Sequence, residues 1–467
     1  MKIDLRGSGL YRDYDDLGGT ALGECRLRIL DSAIGLLAGG LTGASADIAN
    51  VASEATGAGC RPMYPVGSGL DLESAAFVNA ALLRQMDWMD SYRRHGTIQM
   101  GHPSDQMGAL FALCNYPQMT GRKLIELTHL SYQLWRSWSD AMLDLSKDGW
   151  DAVSKLSLCV PLIAAAFFEV DDDRVNSALA LSACNGAVLG GVRRGQISNW
   201  KTGLSGYSVA RALWCYRLSA TYSLDGAILG GGAGNWGQTV SSISSEIGGV
   251  DADVAFQHMM IKEFPCYQYG QGAIACAAEM HNELHGELES IEAIVIGVPD
   301  RDFGQVRSLL HAERPLAPSS ADHHVGYAVA TALKHGYLGP GHYARTHLDD
   351  AAVERLMDVT EVESIGPESS CAARVLVVRS AGSLEQTLSV AEQTASGMTA
   401  SERLDMRRAV VLRKANMLSS FSGMDLSELI AATTELEQVD GQELISLVHR
   451  AAASATLTAD ESSGRQV

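Results

Sequence analysis

Asp87, Asp90 and His102 stand close together in the run MDWMDSYRRHGTIQMGHPSD at residues 86–105. An imidazole oriented by a carboxylate is a proton-transfer pair that works near neutral pH. The two aspartates close an apolar, helix-like run at 72–86, and Gly101-His102-Pro103-Ser104-Asp105 opens the next one. Pro103 disfavours helix at His102. Ser104 is a good N-cap for a helix whose apolar face carries Met107, Leu110, Phe111 and Cys114. A carboxylate at one helix end and an imidazole just before another helix start can converge in one cleft. The alternative reading makes Asp87 and Asp90 solvated end residues and His102 a loop histidine.

A second concentration of charge lies at 191–203, GVRRGQISNWKTG. Arg193, Arg194 and Lys201 fall where a loop meets a helix expected to begin near 204. They suit the reception of carboxylates, or else they cap a neighbouring helix C-terminus. Gly232 to Gly237 matches G-x-G-x-x-G, but a helical segment at 204–222 precedes it where a dinucleotide site needs a buried strand. The 9 cysteines are dispersed and include no C-x-x-C pair, so they read as reduced, mostly buried thiols rather than a zinc ribbon or iron–sulfur motif.

The chain of 467 residues is 46% hydrophobic, enough for one large domain or two. Its net charge of -19 argues against general binding to nucleic acid or anionic membrane, since phosphate contacts need a basic face. A local basic pocket can still take an anionic metabolite. Residues 1–19 carry charge throughout and lack the apolar core of a signal peptide. Residues 156–168 are apolar but too short to span a bilayer, and Pro161 interrupts them. A cytoplasmic protein without membrane attachment is expected.

Hydrophobic periodicity predicts helices at 27–40, 72–86, 124–138, 153–168, 174–190 and 204–222. The pattern changes after 262–271. A helix to about 285 leads to a strand at 291–296, a helix at 321–335, and alternating runs at 374–378 and 384–390 joined through Ala381-Gly382. Helices return at 402–418, 426–436 and 442–453. The expected fold class is mainly α with a second α+β domain. A large helical domain at 1–265 is followed by a smaller α/β lid-like domain at 266–398. Helices at 399–455 rejoin the first domain, and 456–467 form a disordered tail.

Several motifs then agree in order and spacing over nearly the whole chain: Ala75-Ala-Phe-Val-Asn79 leading into Asp87-Trp-Met-Asp-Ser91, Gly101-His-Pro-Ser-Asp105, Ile197-Ser-Asn-Trp-Lys201, Lys262-x-Phe-Pro265 with Gln271, and Ala321-Asp-His323 followed by Tyr327. In these the chain resembles the MmgE/PrpD family, which includes 2-methylcitrate dehydratase, cis-aconitate decarboxylase and iminodisuccinate epimerase. Gly-His-Pro-Ser-Asp and Ser-x-Trp-Lys look most like the 2-methylcitrate dehydratase branch.

The resemblance implies a homodimer that acts on a small anionic carboxylate substrate with no metal and no organic cofactor. It carries catalytic positions onto Asp87, Ser91, His102 and His323, with serine where threonine is usual. It places Lys201 and Lys262 on lysine positions that bind substrate carboxylates. Arg193, Gln271, Asp90 and Tyr327 are expected as further substrate-binding residues. The reaction implied is dehydration or hydration of a di- or tricarboxylic acid of the citrate type by general acid/base chemistry. The alternatives are an epimerase, isomerase or decarboxylase of a related dicarboxylate, or a catalytically inactive structural homologue. Gly149-Trp150-Asp151 and Pro299-Asp-Arg-Asp-Phe303 depart from the decarboxylase branch, which has a histidine and a tyrosine there, and Tyr267-Gln268-Tyr269 stands where a histidine or acidic-Tyr-His run often follows Lys-x-Phe-Pro in the family.

Overall fold

Apolar residues returning every three or four positions fold the first half of the chain into packed helices. The computed structural model describes residues 2–53, 59–66, 69–93, 101–142, 145, 149–193, 198–240, 243, 247–284, 286–310, 318–366, 371–389 and 397–456. Helix α1 (Gly19–Gly40) starts ahead of the run expected from 27 and is buried along most of its length, Glu24, Arg28 and Asp31 included. After α2 (Ala44–Ser53), Asp71 accepts the Ser74 amide and starts α3 (Leu72–Arg84). α3 lies against α1 where Gly39 leaves room, since a Cβ there would stand 1.9 Å from the Leu82 carbonyl oxygen.

α4 (Met107–Leu113) crosses α3 with Gly108 over Ala80. α5 (Gly121–Ala141), capped by Thr120, carries the long amphipathic stripe. In α6 (Leu156–Phe167), Pro161 sits inside the helix without ending it. α7 (Asp172–Asn185) and α8 (Trp200–Leu218) follow, and α8 packs across α3 and α6. Because α8 begins at Trp200 rather than near 204, Lys201 stands in its first turn and not in the loop before it. The glycine-rich run at 230–237 follows a 3-10 turn, Gly226–Leu229, and leads into the single turn α9 (Trp236–Thr239).

Two short strands pair antiparallel: β1 (Ser91–Tyr92) and β2 (Met259–Met260), with Ser91 opposite Met260. Beyond them α10 (Gln271–Leu284) leads into β3 (Ile291–Val298), followed by α11 (Asp300–Leu310) and α12 (Pro318–Ala321). The helix expected at 321–335 is broken. α13 (Val325–His335) restarts with the His324 ring accepting the Tyr327 amide, so Asp322 and His323 lie in the break. α14 (Arg345–Leu348) and α15 (Ala351–Asp358) precede β4 (Thr360–Ser364), β5 (Cys371–Arg379) and β6 (Gly382–Ser389).

The sheet order is β4-β3-β5-β6. β3 runs parallel to β4 (Ile294↔Thr360) and antiparallel to β5 (Ile294↔Val377), and β5 and β6 form the expected hairpin. α10 covers β5 and β6 and packs on α13. Finally α16 (Ala400–Ser422), held at its start by a Thr399/Glu402 capping box, α17 (Ser427–Thr434) and α18 (Gly441–Ala453) pack back onto α1. The protein is therefore mainly helical with a smaller mixed α/β region. Thr456 donates its amide to the Ser422 carbonyl, and the rest of the expected tail, 457–467, lies outside the described residues. Among the described residues no single helix is long and apolar enough to cross a membrane.

Candidate functional site

The chain leaves α3 through Asp87, whose φ of +46° lies in the left-handed region. Aspartate is among the few non-glycine residues that tolerate this conformation. Beyond this turn the carbonyls of Asp87, Trp88 and Asp90 meet cationic or imidazole donors. Lys262 Nζ donates to the Asp87 carbonyl and to its Oδ2, each at 2.8 Å. Lys414 Nζ donates to the Trp88 carbonyl at 2.7 Å, and His102 Nδ1 lies 2.6 Å from the Asp90 carbonyl. The β1–β2 pairing carries Lys262 to this loop, and Trp88 Nε1 ties it to the Glu263 carbonyl at 2.7 Å.

A carbonyl oxygen only accepts, so the Asp90 contact fixes the proton of a neutral His102 on Nδ1 and leaves the lone pair on Nε2. That Nε2 is 4.0 Å from Asp87 Oδ1. Burial, helped by the charges of Arg84 and Lys262, holds the His102 pKa well below the ordinary imidazole range, although Asp87 opposes this. Burial also works against the Asp87 carboxylate, but Lys262, His323, His102 and Arg84 outweigh it and keep that group well below its usual value. The Lys262 pKa is lowered by burial against the pull of Asp87.

A second group forms where the first turn of α8 meets the break before α13. Lys201 Nζ contacts both oxygens of Asp322, at 2.6 and 2.5 Å. Asp322 Oδ1 also accepts from His323 Nδ1 at 2.6 Å. The His323 ring stacks on Tyr267, centroids 4.9 Å apart at 25°. Burial and then Lys201 lower the His323 pKa, with Asp322 and Asp87 opposing. The segment 262–267 serves both groups, since Lys262 holds Asp87 and the Tyr267 ring stacks on His323. His102 and His323 are buried at 5% and 6% exposure, and Lys262 and Ser91 are fully enclosed.

The remaining expected positions divide. Ser91 Oγ donates to Gln268 Oε1, and the buried Gln268 Nε2 has no hydrogen-bond partner among the described residues. Asp90, Gln271 and Tyr327 make contacts of other kinds. The Asp90 carboxylate accepts the Ser104 amide at 3.0 Å, the Tyr132 hydroxyl at 2.6 Å and Arg28 Nη1 at 3.2 Å. Among the described residues Gln271 bonds to backbone: its oxygen accepts the amides of Glu263 and Phe264, and its nitrogen donates to the carbonyls of Phe264 and Cys266. Tyr327 donates its hydroxyl to the His342 carbonyl. The side chain of Arg193 lies outside the described residues. Sequence reasoning missed Asp322 and Gln268, although each stands inside a motif it had singled out, Ala321-Asp-His323 and Tyr267-Gln268-Tyr269.

Buried neutral imidazoles make stability depend on pH with a definite sign. His102 and His323 have folded pKa values below their unfolded value of about 6.5, and burial pushes His129 down to about 4. Below that unfolded value the unfolded chain binds protons the folded chain refuses, so stability falls with acidification. Asp87, also depressed, adds its loss only at much lower pH. Calorimetry should therefore show Tm falling as pH drops from 7 towards 5. A flat Tm over that interval would contradict the burial of neutral rings.

The family model of the MmgE/PrpD N-terminal domain matches residues 11–225, and that of the MmgE/PrpD C-terminal domain matches residues 264–381. No curated protein matches the chain at a significant level.

Proposed function

The chain belongs to the MmgE/PrpD family, and on that premise we propose that it dehydrates, or in reverse hydrates, a small di- or tricarboxylic acid of the citrate type. The observation that carries this reading is His102, with Nδ1 held on the Asp90 carbonyl and Nε2 turned to within 4.0 Å of Asp87. Such a ring is a neutral base with a carboxylate waiting for the charge it acquires.

In the proposed reaction His102 Nε2 takes the proton from carbon beside a substrate carboxylate. The released electron pair becomes the carbon–carbon double bond as the carbon–oxygen bond of the neighbouring hydroxyl breaks. His323 supplies the proton that lets the hydroxyl leave as water. A bound polyanion raises the pKa of an adjacent imidazole, so His323 takes up that proton together with substrate. The carbanion-like transition state needs cations placed beforehand. Lys262 spends two of its three N–H groups on Asp87, and its third faces the substrate in this reading. Lys201, held by Asp322, supplies the second positive charge.

One observation favours epimerisation as the second reading. Two neutral imidazoles, each beside a carboxylate, also make a two-base arrangement. Incubating citrate, 2-methylcitrate, cis-aconitate and iminodisuccinate in deuterated water and following them by NMR separates the two. Dehydration gives an alkene, whereas epimerisation gives deuterium exchange with inversion and no alkene. Turnover should persist in EDTA. Activity abolished by EDTA and restored by iron or zinc would remove the acid/base reading, and no turnover on the whole panel would favour an inactive homologue.

A further inference from the structure

His335, His342 and His347 stand apart from the groups around Asp87 and Asp322, yet one ring nitrogen of each lies within 4.8 Å of the other two. The backbone brings them together. α13 stops at His335 because Gly336 takes a left-handed φ of +75°, the 3-10 turn Pro340–Tyr343 presents His342, and α14 presents His347. The His335 and His342 rings stack at 4.8 Å and 27°, and His347 meets both edge-on at 5.8 and 5.2 Å. Asp350, the acidic neighbour, is already taken by Lys334 and by the amides of Ala352 and Val353. His342 is buried, while His335 and His347 are half-buried, so the cluster opens on one side to solvent.

We propose that these three imidazoles bind one divalent transition-metal ion of the zinc class, with water completing the coordination. Three neutral nitrogen donors suit zinc, cobalt or nickel far better than magnesium or calcium, which prefer oxygen. Zinc–imidazole bonds of about 2.0–2.1 Å place ligand nitrogens no more than ~4.2 Å apart, a contraction that side-chain rotation supplies. Binding has a local cost. His342 Nδ1 accepts the Gly339 amide at 3.1 Å, so the ion either takes that lone pair or shifts the ring proton from Nε2 onto Nδ1. In both cases the Gly339 amide must turn away.

The ion would also stiffen a buttress of the first site. The His342 carbonyl accepts the Tyr327 hydroxyl, and the adjacent Tyr343 donates its hydroxyl to the Pro265 carbonyl in the loop that carries Lys262. The site supplies no ligand to the reaction, so metal removal lowers thermal stability and leaves turnover in place.

The test is titration of chelator-stripped full-length protein with zinc and with cobalt, followed by calorimetry and by the visible spectrum of bound cobalt. One ion per chain is expected, with a cobalt spectrum of nitrogen-rich coordination and a raised Tm. His347→Gln and His335→Gln should each weaken binding more than about tenfold. His347→Gln is the decisive variant because its half-buried position spares the core. No stoichiometric binding, or unchanged affinity in both variants, overturns the proposal.

Discussion

Replacing His102 by asparagine is expected to lower turnover by about 10²–10⁴-fold, the usual contribution of a positioned general base, while the fold stays intact. The choice of residue follows from the two ring nitrogens. The asparagine amide nitrogen falls where Nδ1 is and still donates to the Asp90 carbonyl, now met at 2.6 Å. What disappears is Nε2, the atom 4.0 Å from Asp87. His102→Ala removes both, so it adds a lost buried hydrogen bond of about 0.5–1.5 kcal/mol to the catalytic defect. Solvent deuterium exchange at the substrate carbon should disappear with turnover in His102→Asn. Because burial lowers the pKa of this ring, the acid limb of the wild-type rate profile should lie below the ordinary imidazole value. A near-wild-type rate in His102→Asn, with Tm unchanged, would show that proton abstraction occurs elsewhere.

What could be read from the sequence is what depends on neighbours in the chain. The helical periodicities and the β5–β6 hairpin are local, and so is the meeting of a helix end at 87 with a helix start after His102. What escaped depends on distant partners. Strand β4 reads TEVES, in which only Thr360 is buried and Glu363 meets Arg374 of β5, so its parallel pairing with β3 is invisible without the sheet. Asp90 looks like a surface acid because Arg28, Tyr132 and Ser104 come from other elements. The break after Ala321 escaped because alanine-rich flanks continue the helical pattern. Only the imidazole of His324, capping the next helix, betrays a restart there. That break delivers Asp322 and His323 to Lys201, so the same feature hid both a helix boundary and part of the candidate site.

The second large effect concerns the ion pair under the loop. Lys262 and Asp87 are both almost fully buried, at 2.8 Å. Lys262→Met leaves the Asp87 carboxylate in the interior without its main counter-charge, and breaking such a pair from one side costs about 3–5 kcal/mol. The cost should carry a pH signature. Removing Lys262 takes away the strongest of the charges that oppose burial at Asp87, so its folded pKa is expected to rise, and a rise past the unfolded value makes the folded state hold a proton the unfolded state releases. The variant should therefore lose more stability at pH 8 than at pH 5, the reverse of the wild-type trend set by the buried histidines. Adding Asp87→Asn removes the stranded charge, and asparagine tolerates the φ of +46° at this position. The double variant should recover much of the lost stability and flatten the new pH dependence, yet remain inactive, since neither cation nor carboxylate is restored. Urea unfolding of the two single variants and the double variant at both pH values measures the coupling directly. Additive effects of the two substitutions would mean that Lys262 and Asp87 do not act as one buried pair.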